Sequence, residues 1–100
     1  MQEANTASGI SSDLGNAIRH ATKSFAQAFG EEVRFQRQKL GLKQEDLSML
    51  LQTYGIHVSQ SYLSRLESGA RGDPSIQIII SLSIILDISL DKVIKPTVKE

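Results

Sequence analysis

The chain has 100 residues, of which 40% are hydrophobic and 22% charged, the composition of a single globular domain rather than a disordered or collagen-like chain. Eleven Lys and Arg residues balance eleven Asp and Glu residues, so any basic patch for nucleic acid must be local. Cysteine is absent, which excludes disulfides and thiolate sites, and no apolar run approaches the about 18 residues of a membrane span. We therefore expect a cytoplasmic protein that has no membrane partner.

The first third of the chain predicts an arm followed by helices. Residues 1–12 are small and polar, which predicts a flexible N-terminal arm. Apolar residues at alternating steps of four and three then predict a leading helix over residues 13–29. Its stripe consists of Leu14, Ile18, Ala21, Phe25 and Ala28. This stripe can pack on the rest of the domain or serve as a dimerising arm. Gly30, which costs about 1 kcal/mol in a helix relative to Ala, predicts a break before a helix over Glu31–Leu40.

The middle of the chain predicts two shorter helices. Leu47, Leu50, Leu51 and Tyr54 share one face of a helix that starts at Gln44. Ser59 can cap the following helix, which closes at Gly69. Asp73 can cap the next element, with Pro74 in its first helical position.

The Ile-rich segment, residues 76–90, is ambiguous by pattern alone. Its β-branched residues alternate at period two, which favours a strand, but a lone strand has no hydrogen-bonding partner in a helical chain. We therefore predict a helix there, then a short helix over Leu90–Ile94 and a tail over residues 96–100. The predicted fold is all-α, a five-helix domain over residues 30–95 preceded by the leading helix.

Two short helices joined by a turn, the second with polar residues facing outward, are the parts of a helix-turn-helix. The motif residues are Arg34-x-x-Arg37-x-x-x-Gly41-Leu42-x-Gln44-x-x-Leu47, then Ser59-Gln60-Ser61-Tyr62-Leu63-Ser64-Arg65-Leu66-Glu67-Ser68-Gly69, and Pro74. This pattern resembles the phage-repressor and Cro helix-turn-helix family, also called the Xre family, from about Val33 to Ile94. The stretch from Leu47 to Ser59 is longer than in the usual bacterial version. In this respect it is similar to the POU-specific domain, through Leu40-Gly41, Gln44, Tyr54-Gly55 and Ser59-Gln60.

The resemblance implies sequence-specific binding of double-stranded DNA. The predicted DNA-binding residues are Gln44, Ser59, Gln60, Ser61, Ser64, Arg65, Ser68 and Arg71. The amide of Gln60 can bond adenine N6 and N7 in the major groove, and Arg65 can bond guanine O6 and N7. The resemblance further implies that Gln44 braces the reading surface, that Ser68 and Arg71 meet phosphate, and that Arg37 and Glu67 form a structural ion pair.

The charges around the motif predict a dimer. From Val33 to Gly72, six basic residues stand against three acidic ones, so each subunit makes few phosphate contacts. Two subunits would read palindromic half-sites about 34 Å apart. The Ile-rich segment, with Ile84, Ile85 and Ile88, is the predicted dimer interface, and the Leu14–Ala28 stripe is the other available surface.

The sequence thus predicts a transcriptional regulator, a dimeric repressor that reads a palindromic operator through the helix Gln60–Ser68. The alternative is an antitoxin or adaptor that binds a protein partner through the Ile-rich segment. Catalysis finds no support, because His20 and His57 are far apart and neither has a carboxylate at the spacing of a metal site or proton relay. We expect no enzyme activity, cofactor or metal.

Overall fold

The computed structural model describes residues 2–71 and 74–94, with side chains from residue 12 onward. It contains the helices α1 (Gln2–Lys39), α2 (Gln44–Thr53), α3 (Gln60–Ser68), α4 (Ile76–Leu86) and α5 (Leu90–Ile94). No β-strand occurs within the described ranges, and the all-α prediction is confirmed. The predicted tail lies outside the described residues.

Helix α1 is one uninterrupted helix of 38 residues. At about 1.5 Å per residue it is about 57 Å long, and the longest dimension of the molecule is 56 Å. The predicted break at Gly30 is wrong, and residues 2–12, predicted to be an arm without structure, are helical as well. Position 30 requires glycine because α1 crosses α3 there: a Cβ on Gly30 would overlap the carbonyl oxygen of Leu66. Glycine at this position allows close approach of two backbones.

The apolar stripe of α1 is buried only in its C-terminal part. Phe25 and Ala28 pack against the core, whereas Leu14 is 56% and Ile18 63% exposed. Of the two alternatives for this stripe, packing on the domain holds for its C-terminal part. The N-terminal part of α1 extends beyond the body of the domain, and Leu14 and Ile18 are uncovered there.

Helices α2 and α3 are held at their ends by the caps that their sequence supplies. The N–H of Lys43, just before α2, donates to the carboxylate of Asp46 at 2.9 Å. The hydroxyl of Ser59 accepts from the N–H of Tyr62 at 3.0 Å, and Gly69 closes α3 with a φ of 83°. Residues 54–59 join the two helices. A helix-turn-helix usually has a turn of about 3–4 residues, so part of the extra length lies in this connection.

Helix α4 runs through the Ile-rich segment, which confirms the choice of helix over strand. It begins after Ser75, whose hydroxyl accepts from the N–H of Ile78 at 3.3 Å, rather than at Pro74. The predicted cap Asp73 lies outside the described residues. Asp87, with a φ of 57°, ends α4 in the left-handed conformation, and α5 follows where the sequence predicts it.

The hydrophobic core lies where α1 meets the other helices, and every helix contributes to it. The largest fully buried side chains are Phe29, Val33, Leu47, Leu51, Leu63, Leu66, Leu82 and Leu86, and α5 adds Val93. Helix α3 packs against both α1 and α2. The core therefore fixes the orientation of α3 relative to the rest of the molecule.

Candidate nucleic-acid interface

Helix α3 turns one face to the core and leaves the opposite face open to solvent. Leu63 and Leu66 are fully buried. The exposed residues are Gln60, Ser61, Ser64, Arg65 and Ser68, all of them predicted DNA-binding residues. At about 100° per residue they occupy an arc of about 140°, which we call the exposed arc of α3. It carries one positive charge and no carboxylate, which suits approach to a polyanion.

The only carboxylate in α3, that of Glu67, is buried and paired. Arg37 of α1 donates to it twice, from Nε to Oε2 at 2.7 Å and from Nη2 to Oε1 at 2.8 Å. The same guanidinium donates from Nη1 to the carbonyl oxygen of Leu42 at 2.7 Å. The hydrogen bond to Glu67 raises the pKa of Arg37, while desolvation lowers it and the negative charge of Glu67 adds to the rise. The two-point contact fixes the orientation of α1 and α3 at the crossing.

A chain of hydrogen bonds leads from this ion pair to the exposed arc. Gln44 Nε2 donates to Glu67 Oε1 at 3.0 Å, and Gln60 Nε2 donates to Gln44 Oε1 at 3.3 Å. A carboxylate only accepts hydrogen bonds, so Gln44 must turn its NH₂ group to Glu67 and its oxygen to Gln60. Gln60 must then present its own NH₂ group to Gln44. The ion pair therefore sets the direction in which the amide of Gln60 points.

This bracing leaves Gln60 able to recognise a base. The NH₂ group of Gln60 has two hydrogens, and the bond to Gln44 uses one of them. The second hydrogen and the amide oxygen match the N7 acceptor and the N6 donor of adenine in the major groove. Support from within the protein and contact with a base are therefore chemically compatible.

Two predicted contact residues use their hydroxyls within the protein. Ser59 caps α3 by accepting from Tyr62, and its hydroxyl hydrogen remains free to donate. Ser68 donates its hydroxyl hydrogen to the carbonyl oxygen of Arg65 at 3.1 Å. Ser68 must therefore rotate its hydroxyl before it can donate to a phosphate.

The structure does not bring Arg71 onto the exposed arc. Its guanidinium lies 4.8 Å from the centre of the Tyr62 ring. Tyr62 is about 200° around α3 from Gln60, on the opposite side of the helix. Arg71 therefore borders α3 on the side away from Gln60, where a cation can stack on the aromatic ring.

A cleft between α1 and α3 adds two residues that sequence reasoning did not assign to the site. Arg34 and Gln38 line this cleft together with Gln44, Ser64 and Ser68. Arg34 is one of the six basic residues around the motif. The signal that could have placed it is its spacing, because residues at three and four positions from each other share a helix face, and Arg37 marks the face toward α3.

The three predicted dimer residues differ in their exposure to solvent. Ile84 is 75% exposed and Ile85 is partly buried, so both present surface. Ile88 is only 7% exposed, and its assignment to the interface is corrected. The left-handed turn at Asp87 carries Ile88 off the α4 stripe and into the core of its own chain.

Helix α4 nevertheless has a continuous apolar exposed edge. Ile76 is 71%, Ile80 48% and Ile84 75% exposed, at a spacing of four residues that places them on one face. Beside them an apolar groove lies between α2 and α4. Its lining residues are Leu50, Tyr54, Ile56, Ser81, Ile84 and Ile85.

The fold and this surface define a helix-turn-helix domain whose second motif helix presents a polar face. A helix-turn-helix family model of the Xre and Cro type matches residues 33–93. The chain therefore belongs to this family of DNA-binding transcription regulators. Comparisons with curated proteins and with solved structures gave no significant match. Among the described residues, no helix has the length and hydropathy required to cross a lipid bilayer.

Proposed function

We propose that the chain is a sequence-specific regulator that inserts α3 into the major groove and acts as a dimeric repressor on a palindromic operator. The observation that carries this proposal is the exposed arc of α3, with the Gln60 amide held by Gln44 and the Arg37–Glu67 pair. A solvent-exposed amide has no need of such support for stability. Support of this kind is what a side chain that must meet one base in one orientation requires.

Gln60 and Arg65 supply the base contacts in this proposal. Gln60 pairs with adenine and Arg65 with guanine, and each two-point contact gives about 1–3 kcal/mol of discrimination against a wrong base. Ser61 and Ser64 lie between them on the exposed arc and are small enough to let the helix approach the base edges. Arg34, which lines the cleft beside Ser64 and Ser68, is suited to a flanking phosphate.

The dimer forms through the exposed edge of α4 in this proposal. Ile76, Ile80 and Ile84 leave enough apolar surface uncovered to favour burial against a second copy. The proposal requires a two-fold axis beside Ile84 that presents two α3 helices to successive major grooves, about 34 Å apart. The Leu14–Ile18 side of α1 is the other surface that a second copy can cover.

The same isoleucine edge favours a second candidate function. An antitoxin or adaptor would use Ile76, Ile80 and Ile84 to bind a different protein, with DNA contact secondary or absent. The two functions differ in whether the isolated chain recognises a DNA sequence.

Selection of bound duplexes from a random DNA pool tests the proposal. It is run on the wild type, on Gln60→Ala and Arg65→Ala, and on Gln52→Ala as a matched control. Gln52 is an exposed glutamine in the last turn of α2, away from the exposed arc. We expect the wild type and Gln52→Ala to enrich the same palindrome. Each of the other variants should lose preference at particular positions of the half-site, because each loses one base contact.

Circular dichroism shows whether each variant keeps the helical content of the wild type, which is expected because both positions are exposed. Failure of the folded wild type to enrich any sequence at low salt contradicts the proposal. That result would favour the antitoxin or adaptor. Enrichment of a sequence without two-fold symmetry would retain DNA recognition and reject the palindromic dimer.

A further inference from the structure

A row of basic and amide side chains follows one side of α1 away from the helix-turn-helix. It consists of Arg34, Gln27, Lys23 and Arg19, all exposed. At about 100° per residue these four positions fall within about 80° of each other around the helix axis. From Arg34 to Arg19 the row is about 22 Å long, at about 1.5 Å per residue. We call these four residues the basic row of α1.

The basic row lies on the side of α1 that faces α3. Gly30 and Arg37, which contact Leu66 and Glu67 of α3, fall within the same sector of the helix. Gln27 lies at the C-terminal end of α3, since a Cβ on Gly69 would be 3.1 Å from its Cγ. Lys23 and Arg19 follow about one and two turns farther along α1. The row therefore continues outward from the end of the exposed arc of α3.

The two outer cations of the row are available for an anion. Neither Arg19 nor Lys23 belongs to an ion pair among the described residues. Arg19 Nη2 donates to the amide oxygen of Asn16 at 2.5 Å, and its guanidinium runs back along the helix past Gly15. Asp13, the described acid on this half of α1, lies about 120° around the helix from Arg19.

A phosphate contact at this row would add positive charge for DNA binding, of which the motif itself has little. Of the six basic residues between 33 and 72, Arg37 is committed to Glu67 and Lys39 lies over the ring of Phe35 on the far side of α1, which leaves four for DNA. Arg71 stands on the side of α3 away from Gln60. Arg19 and Lys23 would add two positive charges on the sector of α1 that faces α3.

We propose that Arg19 and Lys23 bind the phosphate backbone of duplex DNA beyond the segment that α3 reads. This proposal rests on the proposed function, because it places α3 in the major groove. The DNA that the row contacts is flanking DNA. The row is about 22 Å long, which corresponds to about six base pairs at about 3.4 Å per pair. The contact depends on phosphate charge and carries no base preference.

The salt dependence of binding tests the proposal with the full chain. The double variant Arg19→Gln/Lys23→Gln removes both outer cations, and Lys39→Gln/Lys92→Gln removes the same charge elsewhere. Lys39 lies about 200° around α1 from Arg19, and Lys92 is on α5. The probes are a duplex of about 40 base pairs with the wild-type selected site, the same site without flanks, and a random-sequence duplex of about 40 base pairs.

We expect the slope of log K against log salt to fall by about 2 per subunit in Arg19→Gln/Lys23→Gln on both long duplexes. Between 50 and 200 mM salt the wild type should lose about tenfold more affinity per subunit than this variant. The charge-matched control should keep the wild-type slope. Removing the flanks should abolish the difference between wild type and variant, and the base preference should stay unchanged throughout.

An unchanged slope in Arg19→Gln/Lys23→Gln overturns the proposal, as does an equal fall in the control pair. A change in base preference also overturns it, since phosphate contacts carry none. These outcomes leave the proposed function intact if the wild type still selects a sequence. If the wild type binds the random duplex without selecting a sequence, the proposed function fails and the slope still decides the role of the row. Absence of binding to every duplex contradicts both.

Discussion

The substitution Gly30→Ala has opposite effects on stability through helix propensity and through packing. Alanine is favoured over glycine within a helix by about 1 kcal/mol, so α1 alone would gain stability. In the folded domain the new Cβ would overlap the carbonyl oxygen of Leu66 and lie 3.1 Å from its carbonyl carbon and 3.3 Å from Glu67 Cα. All three are backbone atoms, which no side-chain rotation can move away.

Helix α3 must therefore shift away from α1, which disturbs Leu66 and its neighbours in the core. Inserting atoms into a packed core costs about 1–3 kcal/mol, and a clash with backbone belongs at the upper end. After the gain in propensity, we expect the free energy of unfolding to fall by about 1–2 kcal/mol. Urea denaturation followed by circular dichroism measures this change, which corresponds to a drop of about 4–16 °C in Tm.

Gly15→Ala is the matched control, because it makes the same change in the same helix. There the nearest atoms to a Cβ are those of the Arg19 guanidinium, the closest at 3.6 Å, which is ordinary contact with a flexible side chain. We expect this variant to be neutral or stabilised by up to about 1 kcal/mol. Equal stabilisation by both substitutions would refute the argument that Gly30 is required by the α1–α3 crossing.

Three further predictions concern the interior support, the amide chain and the exposed edge of α4. Glu67→Gln should lower the free energy of unfolding by about 3–5 kcal/mol in urea denaturation, because it leaves Arg37 buried without its counter-charge; a loss below about 1 kcal/mol would contradict this. Gln44→Ala should leave the protein folded and reduce the preference of Gln60 for its base in duplex selection, and an unchanged preference would show that Gln60 needs no support. Ile84→Glu should convert a dimer into a monomer in sedimentation experiments with little effect on folding, whereas a persistent dimer would exclude this edge as the interface.

The sequence predicts best those features whose causes are local. Helix α3 begins after Ser59 and ends before Gly69, as expected, because a capping hydroxyl and a left-handed glycine act on their immediate neighbours. The Ile-rich segment gives a misleading local signal, since isoleucine at period two favours a strand. The expected helix follows from the rest of the sequence, which predicts no second strand to complete its hydrogen bonds, and α4 is that helix.

The features that the sequence misses depend on contacts between distant residues. Gly30 has the local properties of a helix break, and only the proximity of Leu66 shows that its glycine serves the packing of α1 against α3. Ile88 shares the apolar pattern of α4, and only the left-handed conformation of Asp87 explains its burial. The same holds for Arg34, whose place beside Ser64 depends on the packing of α1 against α3.

The hydrogen-bond chain from Glu67 through Gln44 to Gln60 has a consequence for the entropy of association. A free glutamine on a surface samples many rotamers, and fixing one on binding costs about 0.5–1.5 kcal/mol. In this protein Gln44 and Gln60 are already restricted by their bonds to each other and to Glu67. Restricting the two side chains costs about 1–3 kcal/mol in entropy, and most of this cost therefore falls on folding rather than on binding. In the proposed complex with DNA, the buried ion pair thus contributes to affinity without touching the ligand.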